Sequence, residues 1–249
     1  MKAHISLLSV SLLLFIVSCK QPKAPEPTPT NTTGNVTIRV NNQVNGINLI
    51  QDSMMFTNTS GNPYSVHLLK YYISNVVLKQ ANGTEFKLNN YDLIDAFDTD
   101  FSTIVGLNIP NGTYTSMSLM LGIDSLHNHT GAQDGDLDIA NNMFWSWNTG
   151  YIFFKHEGYY KDLSNTPQSL LFHLGKDKAL STVNIPISIT VAGSNKTMNI
   201  VFDLNNMYNS PAIDFNMHNN HMSIVAGDDL WITKMTANSV DAFTFKNVE

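Results

Sequence analysis

Four of the eight histidines and two of the three tryptophans fall within residues 121–175, LGIDSLHNHTGAQDGDLDIANNMFWSWNTGYIFFKHEGYYKDLSNTPQSLLFHLG. His127 and His129 are separated by one residue, and in extended backbone such a pair points both imidazoles to one side. His173 interrupts the apolar run Leu170-Leu171-Phe172-His173-Leu174, and a buried imidazole needs a hydrogen-bond partner or a metal. Imidazole is the donor that suits copper and zinc. His127, His129 and His173 are therefore the candidate ligands of one metal ion. Each also has a plainer use: a loop histidine can be solvated, and a core histidine can bond to the backbone.

The other chemistry-bearing residues are less pointed. Trp145 and Trp147 alternate in Met143-Phe144-Trp145-Ser146-Trp147, a spacing that serves a core or the wall of a pocket; indole is also the most oxidisable side chain here. Lys155-His156-Glu157 at the end of an apolar run predicts an exposed His156. His218 and His221 cluster with Met217 and Met222, and imidazole with thioether is copper-like chemistry, although a polar loop explains the cluster too. His67 lies between Val66 and Leu68 and carries no signal of its own. Asp134, Asp136 and Asp138 alternate as in a calcium loop but lack the closing glutamate at the twelfth position. No glycine-rich phosphate cradle, nucleophile elbow or carboxylate dyad is present, so the sequence reads as a binding protein and not an enzyme.

The elements that must position these residues have a dominant period of two. Val36–Val40, Tyr64–Leu78, Glu85–Leu88, Tyr91–Asp95, Thr113–Leu121, Tyr151–His156, Leu170–Leu174, Val183–Val191, Met198–Leu204 and Ala242–Phe245 read as strands. Asn45-Gly46, Asn82-Gly83 and Asn111-Gly112 supply turns. Only Leu230–Val240 reads as a helix. Many short strands punctuated by turns predict an all-β fold, an antiparallel β-sandwich in a single domain with a short helix near the C-terminus.

The N-terminus is a targeting segment. Lys2 and His4 precede an apolar run that is short for a membrane span, ending in Ile16-Val17-Ser18-Cys19. An aliphatic-aliphatic-small triplet before cysteine resembles a bacterial lipobox, so residues 1–18 read as a lipoprotein signal peptide and Cys19 as the lipidated residue that anchors the chain to a bilayer. Cys19 is the sole cysteine, which excludes an intramolecular disulfide and a thiolate cluster. With Cys19, residues 20–34, rich in proline and threonine, form a tether, and residues 35–249 form the domain. The formal net charge is -6 and Arg39 is the sole arginine; without a basic stripe, nucleic acid is not a partner.

Tyr72-Ile73-Ser74-Asn75-Val76, Gly122-Ile123-Asp124-Ser125, Met143 to Tyr151 (with FWSWNTGY) and Phe172-His173-Leu174-Gly175 resemble, in this order, the MbnP-like family of copper-binding proteins, which includes bacterial lipoproteins. The resemblance spans about Asn35 to Glu249. It implies a secreted or membrane-attached β-sandwich whose copper is held by histidines and, in some relatives, by a tryptophan oxidised to kynurenine by a di-haem partner of the cytochrome c peroxidase type. It implies His129 as the loop histidine after Asn128, and His173 as the histidine of the FHLG strand. In relatives with kynurenine the modified tryptophan stands two positions before the loop histidine; here that position is His127, which implies a third imidazole instead. The resemblance also implies that Trp145 and Trp147 belong to the family framework.

Together these readings predict a copper-binding lipoprotein of the cell envelope, anchored at the outer membrane or a periplasmic face, for copper acquisition, storage or handover. The rivals are a carbohydrate- or peptide-binding surface lipoprotein using Trp145, Trp147 and Trp231 as platforms, and a three-histidine metalloenzyme.

Overall fold

The computed structural model describes residues 32–146, 148–224, 227 and 229–249. The signal segment, Cys19, the tether up to residue 31 and Trp147 lie outside the described residues.

Among the described residues there are fifteen strands: β1 (Thr33–Val44), β2 (Ile47–Asn48), β3 (Phe56–Thr57), β4 (Pro63–Gln80), β5 (Glu85–Lys87), β6 (Tyr91–Asp95), β7 (Thr103–Pro110), β8 (Gly112–Leu121), β9 (Phe144–Ser146), β10 (Gly150–Lys161), β11 (Pro167–Gly175), β12 (Ser181–Val191), β13 (Lys196–Asp203), β14 (Asn220–Met222) and β15 (Phe243–Val248). Two α-helices accompany them, α1 (Ser125–Asn128) and α2 (Asp229–Ser239). No described helix is long and apolar enough to cross a membrane.

The alternation that predicts strands is also the burial pattern. Every odd-numbered residue of β12 from Ser181 to Val191 is buried and every even one exposed, as expected of a sheet with one face on a core. The smaller sheet runs β15-β13-β1-β2, with β7 also on β1; the larger runs β12-β8-β4-β10-β11-β14, with β3, β5 and β6 on β4 and β9 on β10. Aromatic side chains join the two. Tyr71 of β4 packs on Phe202 of β13 with ring centroids 4.5 Å apart and on Phe243 of β15 at 6.0 Å. Tyr71 is fully buried, and its hydroxyl donates to Asn42 Oδ1 of β1 at 2.6 Å. Burying a side chain of this size stabilises the fold by about 2 kcal/mol, and the hydrogen bond removes the cost of burying its hydroxyl.

The sandwich is mixed, not wholly antiparallel: β1 runs parallel to β13 and β11 parallel to β14. Parallel neighbours need a long crossover, and both pairs are far apart in sequence. The helix expected at Leu230–Val240 is α2, shifted by one residue; it buries Trp231, Ile232, Met235, Asn238 and Ser239 at helical spacing.

Strand β4 sets up the candidate site. Tyr71 pairs with both Phe154 of β10 and Ile94 of β6, and Ile73 with both Leu121 of β8 and Asp92 of β6. With β6 continuous along one edge, β10 and β8 must follow one another along the other edge and change over at Tyr72. There Gly122 donates its N–H to the Tyr72 carbonyl at 2.9 Å. A Cβ on Gly122 would lie 2.4 Å from the Phe153 ring, and its φ is +115°, so only glycine fits. The chain leaves the sheet at this point, and the histidine loop begins.

Candidate metal centre

The loop does not extend as a strand. Asp124 caps α1, accepting the His127 N–H at 3.2 Å, and His129 stands at the helix end with φ -115° and ψ 9°. The expectation that His127 and His129 share one side through extended backbone is therefore corrected: a capped helical turn separates their directions.

His127 is held on one ring nitrogen. Its Nδ1 is 2.8 Å from Tyr91 Oη and 3.1 Å from Asp124 Oδ1. The rings of Tyr91 and His127 overlap with centroids 4.1 Å apart. The Tyr91 hydroxyl donates to Asp124 Oδ2, so it accepts from His127, and this assigns the proton to Nδ1 and the lone pair to Nε2. Burial favours the protonated Asp124 carboxyl, but hydrogen bonds from Tyr91, His127 and Asn75 outweigh it and hold the group well below the usual carboxylate range. Burial and the bond to Asp124 push Tyr91 up to about 12.

His129 turns to Asp177, just beyond the end of β11, with Nε2 3.0 Å from Oδ1. Asp177 also accepts from Ser125 Oγ at 2.5 Å and from Asn128 Nδ2 at 2.8 Å. Burial opposes ionisation of Asp177, and these donors together with His129 draw its carboxyl below the usual range. Between the two histidines, Asn128 is fully buried and accepts the Tyr151 N–H at 2.8 Å. It pins the loop to the start of β10 and to the end of β11 at once.

His173 is almost buried, as the apolar run predicts, and has found a partner: Nε2 is 2.8 Å from Glu157 Oε1. Lys155 lies opposite it in the ladder and 3.4 Å from the same carboxylate oxygen. Burial pushes the imidazole below its ordinary value, with Glu157 opposing and Lys155 assisting, so it is neutral and its Nδ1 carries the lone pair. Strand alternation puts Gly175 on the same face, where Trp145 covers it: a Cβ on Gly175 would lie 2.6 Å from Trp145 Cζ3. Met222 is the ladder partner of His173 on β14.

The three predicted ligands are thus each bound to a different carboxylate, Asp124, Asp177 and Glu157. Among the described residues no three His, Cys, Asp or Glu side chains are gathered in a set able to hold a metal ion. In kind the donors do fit copper. A metal-binding imidazole commonly gives its second ring N–H to a carboxylate, which fixes its tautomer, and all three histidines are so held.

Other expectations fare variously. His156 is fully buried, not exposed, with Nδ1 2.5 Å from Tyr208 Oη; burial drives its imidazole down to about 3. It shares the inward phase of β10 with Phe154 and Tyr160, a signal outweighed in the sequence reading by the charges of Lys155 and Glu157. Trp231 is buried and is no platform. His67 is exposed and lies 2.8 Å from Asp52 Oδ1. The aspartates of the calcium-like stretch serve local structure: Asp136 accepts the Leu93 N–H and Asp138 the Ala140 N–H. Asp124, Tyr91, Asn128, Asp177 and Glu157 were not anticipated in their roles. Only Asp124, an N-capping residue type just before the histidines, gave a local signal.

The two facing sheets, with a capped histidine loop at the β4 changeover, define a β-sandwich protein. The family model named MbnP matches residues 33–224, and the chain belongs to this family. The fold is similar to that of MbnP from Methylosinus trichosporium, with a TM-score of 0.52 and 16% sequence identity, over 72% of this chain and 78% of that one. A comparison with curated proteins finds no match.

Proposed function

We propose that this protein is an extracytoplasmic copper-binding lipoprotein that acquires, stores or hands over copper, with His127, His129 and His173 as imidazole donors. The observation that carries the reading is the shared state of these residues: each has one ring nitrogen on a carboxylate, leaving the other as a lone-pair donor. Membership of the MbnP family supports it. Bound copper would supply a soft cation for transfer between proteins, and the chain supplies donors, orientation and partial exclusion of water. His127 stands where the resemblance puts the modified tryptophan, so Trp145 and Trp147 are the candidate indoles for a di-haem partner of this kind.

Equilibrium dialysis with copper tests the site. His173→Ala is expected to lower affinity by several kcal/mol through loss of a ligand. His127→Ala separates a three-imidazole set, with a large loss, from a pair made by His129 and His173, with a small one. Copper affinity unchanged in the His129→Ala, His173→Ala double variant rejects the site. Anchoring is tested separately: Cys19→Ser should release the protein from membranes, and continued tight association would reject lipidation there.

A further inference from the structure

His218 and His221 lie in the segment that returns to the larger sheet as β14. The His218 N–H donates to the Asp214 carbonyl at 2.9 Å, closing a turn that carries its ring back over the strand. His221 is the ladder partner of Phe172. Its ring stacks on Phe172 with centroids 6.2 Å apart and planes at 7°, and on Trp231 of α2 at 5.1 Å and 17°. The imidazole is thereby fixed from both elements packed against it. His218 Nδ1 then lies 3.3 Å from His221 Nε2, and both residues are partly open to solvent.

We infer that His218 and His221 chelate one borderline divalent cation, Zn2+ or Cu2+, at a site separate from the carboxylate-backed histidines. Two imidazole nitrogens bonded to one ion at about 2.0–2.1 Å span 3.3 Å when the angle at the metal is roughly 110°, the tetrahedral value. A linear two-coordinate ion would need them about 4 Å apart at the same bond lengths, so the spacing selects a bent arrangement of the two nitrogens on one ion of higher coordination number. The thioethers do not complete the pair. Met217 is exposed, and Met222 pairs with His173 while His221 pairs with Phe172, so alternation puts Met222 on the opposite face. The same alternation keeps this site apart from His173.

Trp231 reports on the site because its indole stacks on the chelating ring. In the full chain with Trp145→Phe and Trp147→Phe, Trp231 is the remaining indole. Cu2+ is expected to quench its emission saturably, and Zn2+ to compete the quenching away. Losing an outer-shell partner already costs about tenfold in metal affinity, so His218→Ala should raise the half-quenching Cu2+ concentration by at least about tenfold. His173→Ala should leave it unchanged, which separates this inference from the copper site proposed above. His218→Asn, with metal-free circular dichroism and Trp231 emission matched to the parent, guards against loss through misfolding. Calorimetry with Zn2+ on the otherwise unaltered chain should find one fewer equivalent bound in His218→Ala. Equal stoichiometry, or the same half-quenching concentration in both His218 variants, would show a hydrogen-bonded pair only and overturn the inference.

Discussion

The buried Asn128 amide donates to Asp177 Oδ1 at 2.8 Å, and His129 Nε2 lies 3.0 Å from the same oxygen. One carboxylate at the end of β11 therefore sets both the anchor of the loop and the direction of an imidazole beside it. The anchor and the candidate ligand cannot be altered independently.

Asn128→Ala leaves the buried Tyr151 N–H without its acceptor and opens space beside Gly150, where an added Cβ would lie 2.2 Å from Asn128 Oδ1. A loss of about 2–3 kcal/mol is expected. Asn128→Asp keeps the acceptor but sets a carboxylate against Asp177, so its loss should be larger at neutral pH than in acid. Urea unfolding of both variants checks this, and a change within about 0.5 kcal/mol for Asn128→Ala, the range of ordinary surface substitutions, would show that the loop is not pinned there.

Lys176, between His173 and Asp177, has φ 70° and ψ 154°, a region that glycine alone occupies readily. Its strained backbone turns the chain so that Asp177 meets the loop. Lys176→Gly should raise stability by about 1 kcal/mol, measured as a higher urea midpoint at unchanged slope. A lower midpoint would count against stored strain.

How far these features could be read from sequence depended on how local their causes are. Tyr91–Asp95 was expected as a strand and is β6 to the residue, because alternation and flanking asparagines suffice. Among the described residues, six of the eight non-glycine residues with positive φ are asparagines, so part of this chain's abundant asparagine is turn chemistry. Strand β7 does not read as a strand in sequence because Gly106 and Asn108 interrupt its pattern. The parallel pairing of β11 with β14 sets His221 on Phe172, and nothing near either residue announces it. The candidate ligands were visible as residue types. Their carboxylates were not, since Asp177 and Glu157 reach them only through tertiary contact.

His156 makes stability pH-dependent. Its pKa falls from 6.5 unfolded to about 3 folded, so between these values the unfolded chain binds a proton that the native state refuses. Its effect on stability is absent above pH 6.5, and stability is lost as pH falls toward 3, at about 1.4 kcal/mol per pH unit inside the window. His156→Phe should lower stability at pH 7, because Tyr208 loses its partner, yet flatten the decline between pH 6 and 4. Parallel stability–pH curves for variant and parent would rule this out.

Glu157 tests the metal reading without touching a ligand. Its carboxylate accepts from His173 Nε2 at 2.8 Å and faces Lys155 Nζ at 3.4 Å. Glu157→Gln keeps the size and a carbonyl acceptor but removes the charge that makes the imidazole a stronger donor. If His173 binds copper through Nδ1, affinity should fall by about 10–100-fold. His173 should also titrate lower, since Glu157 raises its pKa. NMR titration of the ring and competition for copper against a chelator of known strength measure the two effects on one sample. A lowered His173 pKa with unchanged copper affinity would place His173 outside the site and leave the loop imidazoles as the donors to pursue.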